Sequence, residues 1–454
     1  MIRLSWLSML PLTVATEGHT LDLPLWSVIP FVVLLLSIAI LPLTAPHFWE
    51  HNRNKLILSL ILGVPVGAFV WHHAFAAQMP FDHHHPIFTA LHEYVAFILL
   101  LFSLFVISGG VYVRGSFRGK PAVNTAFLGV GALLASFIGT TGASMLLIRP
   151  LLRANRGRRN LVHLVVFFIF IVSNTGGLLT PLGDPPLFLG FLKGVPFTWT
   201  FQLWKEWLLV QVVLLALFCL VDTCLSQKDE VRASAGAAPS GERFGIEGLI
   251  NVLLLAGVVA TIYGSGKYAW PMGVQEGAML ALALVSIVVT PKALRERNQF
   301  NFGPILEVAA LFLGIFLTMI PALRILNQEG QSLGITQPWQ FFWASGSLSS
   351  FLDNAPTYLA FAAVGAGTAG ISVSGTHYLA ELLATASGPA ILAAISCGSV
   401  FMGANTYIGN GPNFMVKAIA ESGGVRMPSF FGYMVWSIAI LIPTFVLVTF
   451  LFFV

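Results

Sequence analysis

Long apolar runs recur along the whole chain and are separated by short polar connections. Clear examples lie at 26–43, 97–113 and 434–454. A run of about 20 residues forms a helix of about 30 Å, which matches the hydrocarbon core of a bilayer. No polar stretch is long enough to form a separate soluble domain. The pattern therefore predicts an all-α polytopic membrane protein.

Composition supports the same fold class. Of the 454 residues, 56% are hydrophobic and 9% are charged, whereas soluble domains carry about 25% charged residues. The cysteines Cys219, Cys224 and Cys397 lie in or beside apolar segments, so we expect them to pack in the core. Residues 1–25 resemble a signal peptide followed by an outside segment.

The positions of lysine and arginine predict the orientation of the chain. Most of the 23 basic residues fall in clusters between apolar runs, and such clusters remain in the cytoplasm. Alternation then gives about ten transmembrane crossings in the plasma (inner) membrane, with the N- and C-termini outside. The predicted units are a first repeat at 26–226, a cytoplasmic linker at 227–245 and a second repeat at 246–454.

The segment 121–152 does not fit a simple crossing, because basic clusters flank both of its ends. Arg149 follows Gly142 by only seven positions, about 10 Å of helix, which is too short to finish a crossing. A re-entrant hairpin with its tip at Gly139–Gly142 resolves this, since both ends return to the cytoplasm. Irregular backbone at membrane depth requires surrounding protein or a water-filled cavity. The tip therefore predicts a cavity.

Two stretches of the first half reappear in the second. Ser136–Ala143 aligns with Ser350–Thr357, and Thr180–Leu187 aligns with Thr406–Asn413. Their order is the same, while the predicted topology gives the halves opposite orientation. The predicted interrupted segments are two re-entrant hairpins, 121–152 and 338–366, and two broken helices, 160–195 and 389–420. Inverted repeats with helices interrupted at matching positions indicate the binding site of a secondary transporter.

Two carboxylates, Asp184 and Asp353, stand at these interruptions. A charge at mid-bilayer costs at least about 2.5–3.5 kcal/mol, so each needs a role or a partner. The alternative is that either aspartate only caps a half-helix. The tips contain no lysine or arginine, which favours a cation, a proton or a cation-complexed anion over a bare multivalent anion. Competition of a proton and Na⁺ for one aspartate would give antiport.

Four other ionisable residues lie outside the tips of the interrupted segments. Glu307, early in a predicted helix, is a candidate proton relay, or else it lies at the cytoplasmic interface. Asp222, Glu93 and His163 lie near predicted helix ends, and we expect them at the membrane interface.

Neither a metal site nor a catalytic residue is predicted. The run His83–His85 offers ligand atoms, but adjacent histidines point in different directions and no partner is evident. Ser144 follows the first hairpin tip, yet no base accompanies it, which disfavours an intramembrane hydrolase.

The interrupted segments resemble the ion transporter superfamily of sodium/proton antiporters, arsenite pumps, citrate–metal symporters and divalent-anion/sodium symporters. Gly176–Pro186 matches its Gly-Gly-x-x-Thr-Pro-x-Gly-Asp-Pro-Pro pattern. Leu352–Pro356 looks like the Asp-Asn-x-Pro tip of antiporter and arsenite-type members, and Gly403–Asn413 looks like the second unwound helix. The Ser-Asn-Thr tips of dicarboxylate symporters are absent, and Leu187 replaces a usual asparagine.

The resemblance implies a mobile unit of hairpins and broken helices that moves like an elevator against a scaffold, often as a homodimer. It implies cation or proton binding at Asp184 and Asp353. The substrate-binding positions that it implies are Thr140, Thr141, Asn174, Thr175, Thr180, Asn354, Thr357, Asn405, Thr406, Asn410 and Asn413.

The leading hypothesis is a Na⁺(Li⁺)/H⁺ antiporter. The alternative is a symporter of citrate or another carboxylate, in free or metal-complexed form, and arsenite efflux is a third. Paired hairpins disfavour a channel. We expect no cofactor, only transported Na⁺ or H⁺. The expected partners are a small ion or carboxylate and the lipid bilayer, without nucleic acid.

Overall fold

The computed structural model describes residues 21, 23–82, 85–114, 119–230 and 245–454. The predicted signal peptide and most of the predicted linker lie outside the described residues. The α-helices are α1 Ile29–Thr44, α2 Pro46–Trp49, α3 Asn52–Ala76, α4 Pro86–Ser108, α5 Pro121–Ile138, α6 Thr140–Ala154, α7 Val162–Ile171, α8 Pro185–Leu192, α9 Trp204–Glu230, α10 Leu249–Tyr268, α11 Val274–Val289, α12 Lys292–Arg297, α13 Gly303–Gln328, α14 Pro338–Ser349, α15 Asn354–Thr368, α16 Tyr378–Leu383, α17 Gly388–Met402, α18 Gly411–Ser422 and α19 Phe430–Val448. Two short strands, β1 Tyr112–Arg114 and β2 Gly245–Glu247, pair antiparallel.

Nine helices in the described part of the chain are long and apolar enough to cross a membrane. Eight of them overlap predicted crossings, and the ninth, Pro121–Ile138, is the predicted first arm of a hairpin. The other two predicted crossings correspond to the shorter apolar helices Val162–Leu178 and Val274–Val289. Large apolar side chains such as Val288 and Phe431 are 84% and 76% exposed. Exposed apolar surface on long apolar helices is the surface of an integral membrane protein.

One group of helices packs around α13, which contacts α1, α3, α4 and α15, while α4 also packs against α10 and α11. The crossing of α3 and α13 is close because its residues are small. A Cβ placed on Gly63 would lie 3.3 Å from the Gly314 Cα, and one on Gly314 would lie 2.8 Å from the Ser59 Cβ. Small residues allow apolar helices to approach closely and gain dispersion contacts inside a membrane.

A second group contains the interrupted segments of both halves. Helix α18 contacts α6 and α7, and α8 contacts α15 and α17. The span Gly388–Asn405 is 83% buried, compared with 28% for Asn52–Ala76. Segments from distant parts of the sequence thus share one core.

Proline and glycine explain where the helices break. Helix α7 ends at Ile171, a 3₁₀ turn follows at Thr175–Leu178, and α8 begins with Pro185. A proline at the first helical position lacks only an N–H that would have had no partner there. In the second half, a 3₁₀ turn at Gly403–Asn405 separates α17 from α18.

Gly139 joins α5 to α6 with a φ of 80°. Glycine adopts this conformation without steric cost, so the chain can reverse between two contacting helices within one residue.

Candidate substrate and ion site

Asp184 lies at the centre of the second group and is 1% exposed. It occupies the N-cap position of α8, yet its side chain makes no capping hydrogen bond. Instead, Oδ1 accepts from Thr140 Oγ1 at 2.8 Å and from Asn410 Nδ2 at 3.3 Å, and Oδ2 accepts from the Asn354 amide. These donors come from the first hairpin tip, the second broken helix and the second hairpin tip. Three neutral donors therefore solvate a buried carboxylate.

Asparagine side chains connect the two broken helices. Asn410 Nδ2 donates to Asn174 Oδ1 at 3.1 Å, and Asn174 Nδ2 donates to Asn413 Oδ1 at 2.7 Å. Asn413 Nδ2 donates in turn to the Thr406 carbonyl oxygen at 2.9 Å. All four residues are buried or nearly so. Buried polar networks that are satisfied in this way hold one defined geometry.

The same hydrogen bond anchors each broken helix to the hairpin of its own half. Thr180 donates its hydroxyl to the carbonyl oxygen of Ser136, and Thr406 donates to the carbonyl oxygen of Ser350, there at 2.5 Å. These four residues occupy equivalent positions in the two aligned stretches. The aligned motifs therefore make equivalent contacts.

Asp353 differs from Asp184, because its side chain does cap a helix. Its Oδ1 accepts from the Ala355 N–H at the start of α15 at 3.0 Å. Oδ2 accepts no hydrogen bond from the residues that the structure describes, and the side chain is only partly buried. The capping alternative thus describes Asp353, which keeps one oxygen for a ligand, and does not describe Asp184.

Two buried amide oxygens beside this core accept no hydrogen bond within the described chain: Asn354 Oδ1 and Asn405 Oδ1. Their amide groups are held, since Asn354 donates to Asp184 and Asn405 donates to Ser350 Oγ at 2.8 Å. An unsatisfied buried acceptor costs about 1–3 kcal/mol. A cation or a hydrogen-bond donor on a substrate could satisfy an acceptor of this kind.

Thr141 lies beside a mostly apolar cavity at the first tip. Thr140, Pro185, Leu104 of α4 and Ile305 of α13 also line this cavity. The cavity predicted beside the tip is present at this position.

Three predicted residues face elsewhere. Thr175 donates to the Phe170 carbonyl at 2.8 Å and accepts from Gln211 of α9. Thr357 donates to the backbone carbonyl of Asp353. Glu307 pairs with Lys55 at 2.8 Å and does not contact Asp184.

No group of three or more histidine, cysteine, aspartate or glutamate side chains in the described residues is placed to hold a metal ion. Of the run His83–His85, His83 and His84 lie outside the described residues.

Comparison with known proteins identifies the family of the chain. The sequence model of the family CitMHS_2, whose description reads "Putative citrate transport", matches residues 20–453. The chain belongs to this family. No curated protein matches it. The protein is accordingly a secondary transporter of an ion- and citrate-transporter family and not an enzyme.

The predicted site residues did not include the serines of this transporter's core. The Ser136 hydroxyl donates to the Gly176 carbonyl, and the Ser350 hydroxyl accepts from Asn405. The Ser173 carbonyl accepts from Asn410 at 3.2 Å. The signal for two of them was available, because Ser136 and Ser350 begin the aligned repeat. Ser173 carried no such signal, since its contact depends on a residue from the other half.

Asp222 and His163, which we expect at the membrane interface, are both buried between helices. Asp222 is fully buried, and its carboxylate accepts from Arg158 at 2.6 Å, His163 Nε2 at 2.8 Å and Asn124 at 2.9 Å. The physical reason is that α9 packs against α5 and α7, which covers the carboxylate while supplying its partners.

Glu93, which we expect at the membrane interface, is also buried in the protein. Glu93 is 6% exposed and accepts from Lys193 Nζ at 2.5 Å. Lys193 follows α8, which packs against α4, so the two charges neutralise each other inside the protein.

Proposed function

We propose that the protein transports citrate or a related carboxylate, complexed with a divalent cation, in symport with H⁺ or Na⁺. One observation carries the proposal. The buried carboxylate of Asp184 lies where interrupted segments of both halves meet, and it is held only by neutral donors. Membership of a family described by citrate transport supplies the substrate class.

The charge of this core favours a complexed substrate. Asp184 and Asp353 carry the only formal charges at the four interruptions, since no lysine or arginine lies within their tips. A free citrate trianion would be repelled by two carboxylates and would find no guanidinium or ammonium group. A divalent cation bound to citrate removes two negative charges and presents a positive centre to the aspartates. Such cations prefer carboxylate and amide oxygens.

The oxygens without hydrogen-bond donors support the coupling of substrate transport to H⁺ or Na⁺. Asn354 Oδ1, Asn405 Oδ1 and one oxygen of Asp353 are acceptors without donors among the described residues. Na⁺ or a proton taken up here would compensate the acceptors and the aspartate charge at the same time. Coupling would follow because substrate and ion are held by the same segments.

The proposal includes alternating access by elevator-like movement of the interrupted segments of the two inverted repeats against the remaining helices. It is supported by the equivalent threonine–serine hydrogen bonds of the two halves. Binding energy at the shared core would then be available to move the interrupted segments together.

The test is uptake of labelled citrate into liposomes that contain the purified protein, with an imposed pH or Na⁺ gradient. Uptake should require both a divalent cation and the gradient, and it should fall by about 100-fold or more in Asp184→Asn. Added chelator should abolish it. Uptake that is equally fast with chelator, or equally fast in Asp184→Asn, would contradict the proposal.

A second candidate, Na⁺(Li⁺)/H⁺ antiport, is favoured by the presence of two carboxylates, Asp184 and Asp353, at the interruptions, because carboxylates suit an exchangeable cation. An interior pH dye distinguishes it in the same liposomes. Collapse of a pH gradient on addition of Na⁺ or Li⁺ without citrate, lost in Asp353→Asn, would establish antiport. A pH response that appears only with citrate supports symport.

A further inference from the structure

A second pocket lies at the end of the molecule where α4 begins. Its walls come from α4, from the end of α13, from Lys193 after α8, and from the segment that leads into α16. On the predicted orientation this end is outside. The pocket therefore lies where helices of the α13 group meet the interrupted segments.

Lys193 and Tyr378, which flank the interrupted segments, meet in this pocket. Lys193 is held by Glu93 of α4 at 2.5 Å, and both side chains are less than a tenth exposed. The ring of Tyr378 lies 5.9 Å from the Lys193 ammonium. Its hydroxyl is buried and has no hydrogen-bond partner among the described residues. The Leu379 N–H donates to the Lys193 carbonyl at 3.2 Å, which fixes the two segments together.

Arg324 of α13 completes the pocket. It is partly buried, and within the described chain it makes no ion pair and no hydrogen bond. A guanidinium group presents five donors in a planar fork that matches a carboxylate. With Lys193 and Arg324 against Glu93, the pocket carries a net positive charge. The core around Asp184 carries the opposite charge.

From the unpaired guanidinium and the unpartnered tyrosine hydroxyl, we propose that this pocket is a second binding site, specific for carboxylate anions. A carboxylate would accept a bidentate pair of hydrogen bonds from Arg324 and one from the Tyr378 hydroxyl. A polycarboxylate would place a further carboxylate near Lys193 and compete with Glu93 for it. The inference rests on the proposed function for its choice of citrate.

The position of the pocket gives the site a role. Arg324 and Glu93 belong to helices of the α13 group, while Lys193 and Tyr378 flank the interrupted segments. An anion that bridges the two sets would hold them in the arrangement seen here. A free carboxylate would thus collect at this end before it meets the anionic core as a cation complex.

The experiment measures binding of free citrate to the purified protein by calorimetry, with chelator present to remove divalent cations. Loss of a charge-assisted bidentate pair in Arg324→Gln should weaken binding by about tenfold or more. Tyr378→Phe keeps the ring and removes only the hydroxyl, and it should weaken binding by about threefold. Arg426→Gln is the matched control, because it removes one exposed arginine far from the pocket in sequence.

Unchanged affinity in both Arg324→Gln and Tyr378→Phe would overturn the site, as would an equal loss in Arg426→Gln. The absence of citrate binding to the wild type would do the same. Asp184→Asn separates this proposal from the proposed function, since it should stop transport and leave Arg324-dependent binding intact. Arg324-dependent binding in a protein that transports no citrate would sustain the site and reject the function.

Discussion

The amide of Asn354 donates a hydrogen bond to the carboxylate of Asp184 across 170 positions of the chain. One residue lies at the tip between α14 and α15, and the other lies in the break between α7 and α8. Neither half alone can build the site, because the central carboxylate belongs to one half and two of its donors, Asn354 and Asn410, belong to the other.

Replacing Asn354 with leucine should disable this core. Leucine keeps a similar volume but leaves Asp184 Oδ2 without its donor, at a cost of about 1–3 kcal/mol. We expect citrate uptake to fall at least about tenfold and the thermal midpoint of the detergent-solubilised protein to drop. The exposed Asn301→Leu serves as the control. A variant that matches wild type in both measurements would show that the hydrogen bond is dispensable.

The paired threonines should respond alike, since Thr180 and Thr406 make equivalent bonds. Valine at either position removes the hydroxyl and leaves a buried serine carbonyl without its donor, which should cost about 1 kcal/mol or more. Serine retains the hydroxyl and should preserve most of the stability. Thermal unfolding of all four single variants makes the comparison. Valine variants as stable as the serine variants would refute the anchoring role.

Gly183→Ala should be poorly tolerated. A Cβ at this position would overlap the carbonyl oxygen of Gly177, and backbone cannot rotate away as a side chain can. Overpacking of this kind costs about 1–3 kcal/mol, and here it would also displace Asp184. Gly411→Ala, at the start of α18, meets no atom within 4 Å and is the matched control. We expect transport to be lost in the first and retained in the second, and equal uptake by both would contradict the close approach.

Removing one charge of the Glu93–Lys193 ion pair should destabilise the protein more than removing both charges. Glu93→Gln leaves a buried ammonium group uncompensated, at about 3 kcal/mol. The double variant Glu93→Gln/Lys193→Met removes both charges and should regain much of the loss. The thermal midpoints of the single and double variants measure this difference in stability. A single variant as stable as the double would mean that water already compensates Lys193.

Local sequence patterns were sufficient for most of the helices and for their interruptions. Apolar runs of bilayer length placed eight of the long helices near their observed bounds. Proline and paired glycines placed the breaks before Pro185 and around Gly403, because these residues limit helical hydrogen bonding wherever they occur. The aligned repeats also indicated Asp184, Asn354 and Asn410 before any contact was known.

Side-chain partnerships could not be predicted in this way. Asp222 and Glu93 lie near helix ends, which placed them at the interface, yet both are buried beside cations from distant segments. Asp353 caps its helix and Asp184 does not, although both stand at helix starts. The sequence by itself determined which segments enter the membrane and where their helices break, since hydropathy and backbone chemistry are local. Only the tertiary structure decided which polar groups meet, because the partner of each buried charge comes from another segment that packing brings against it.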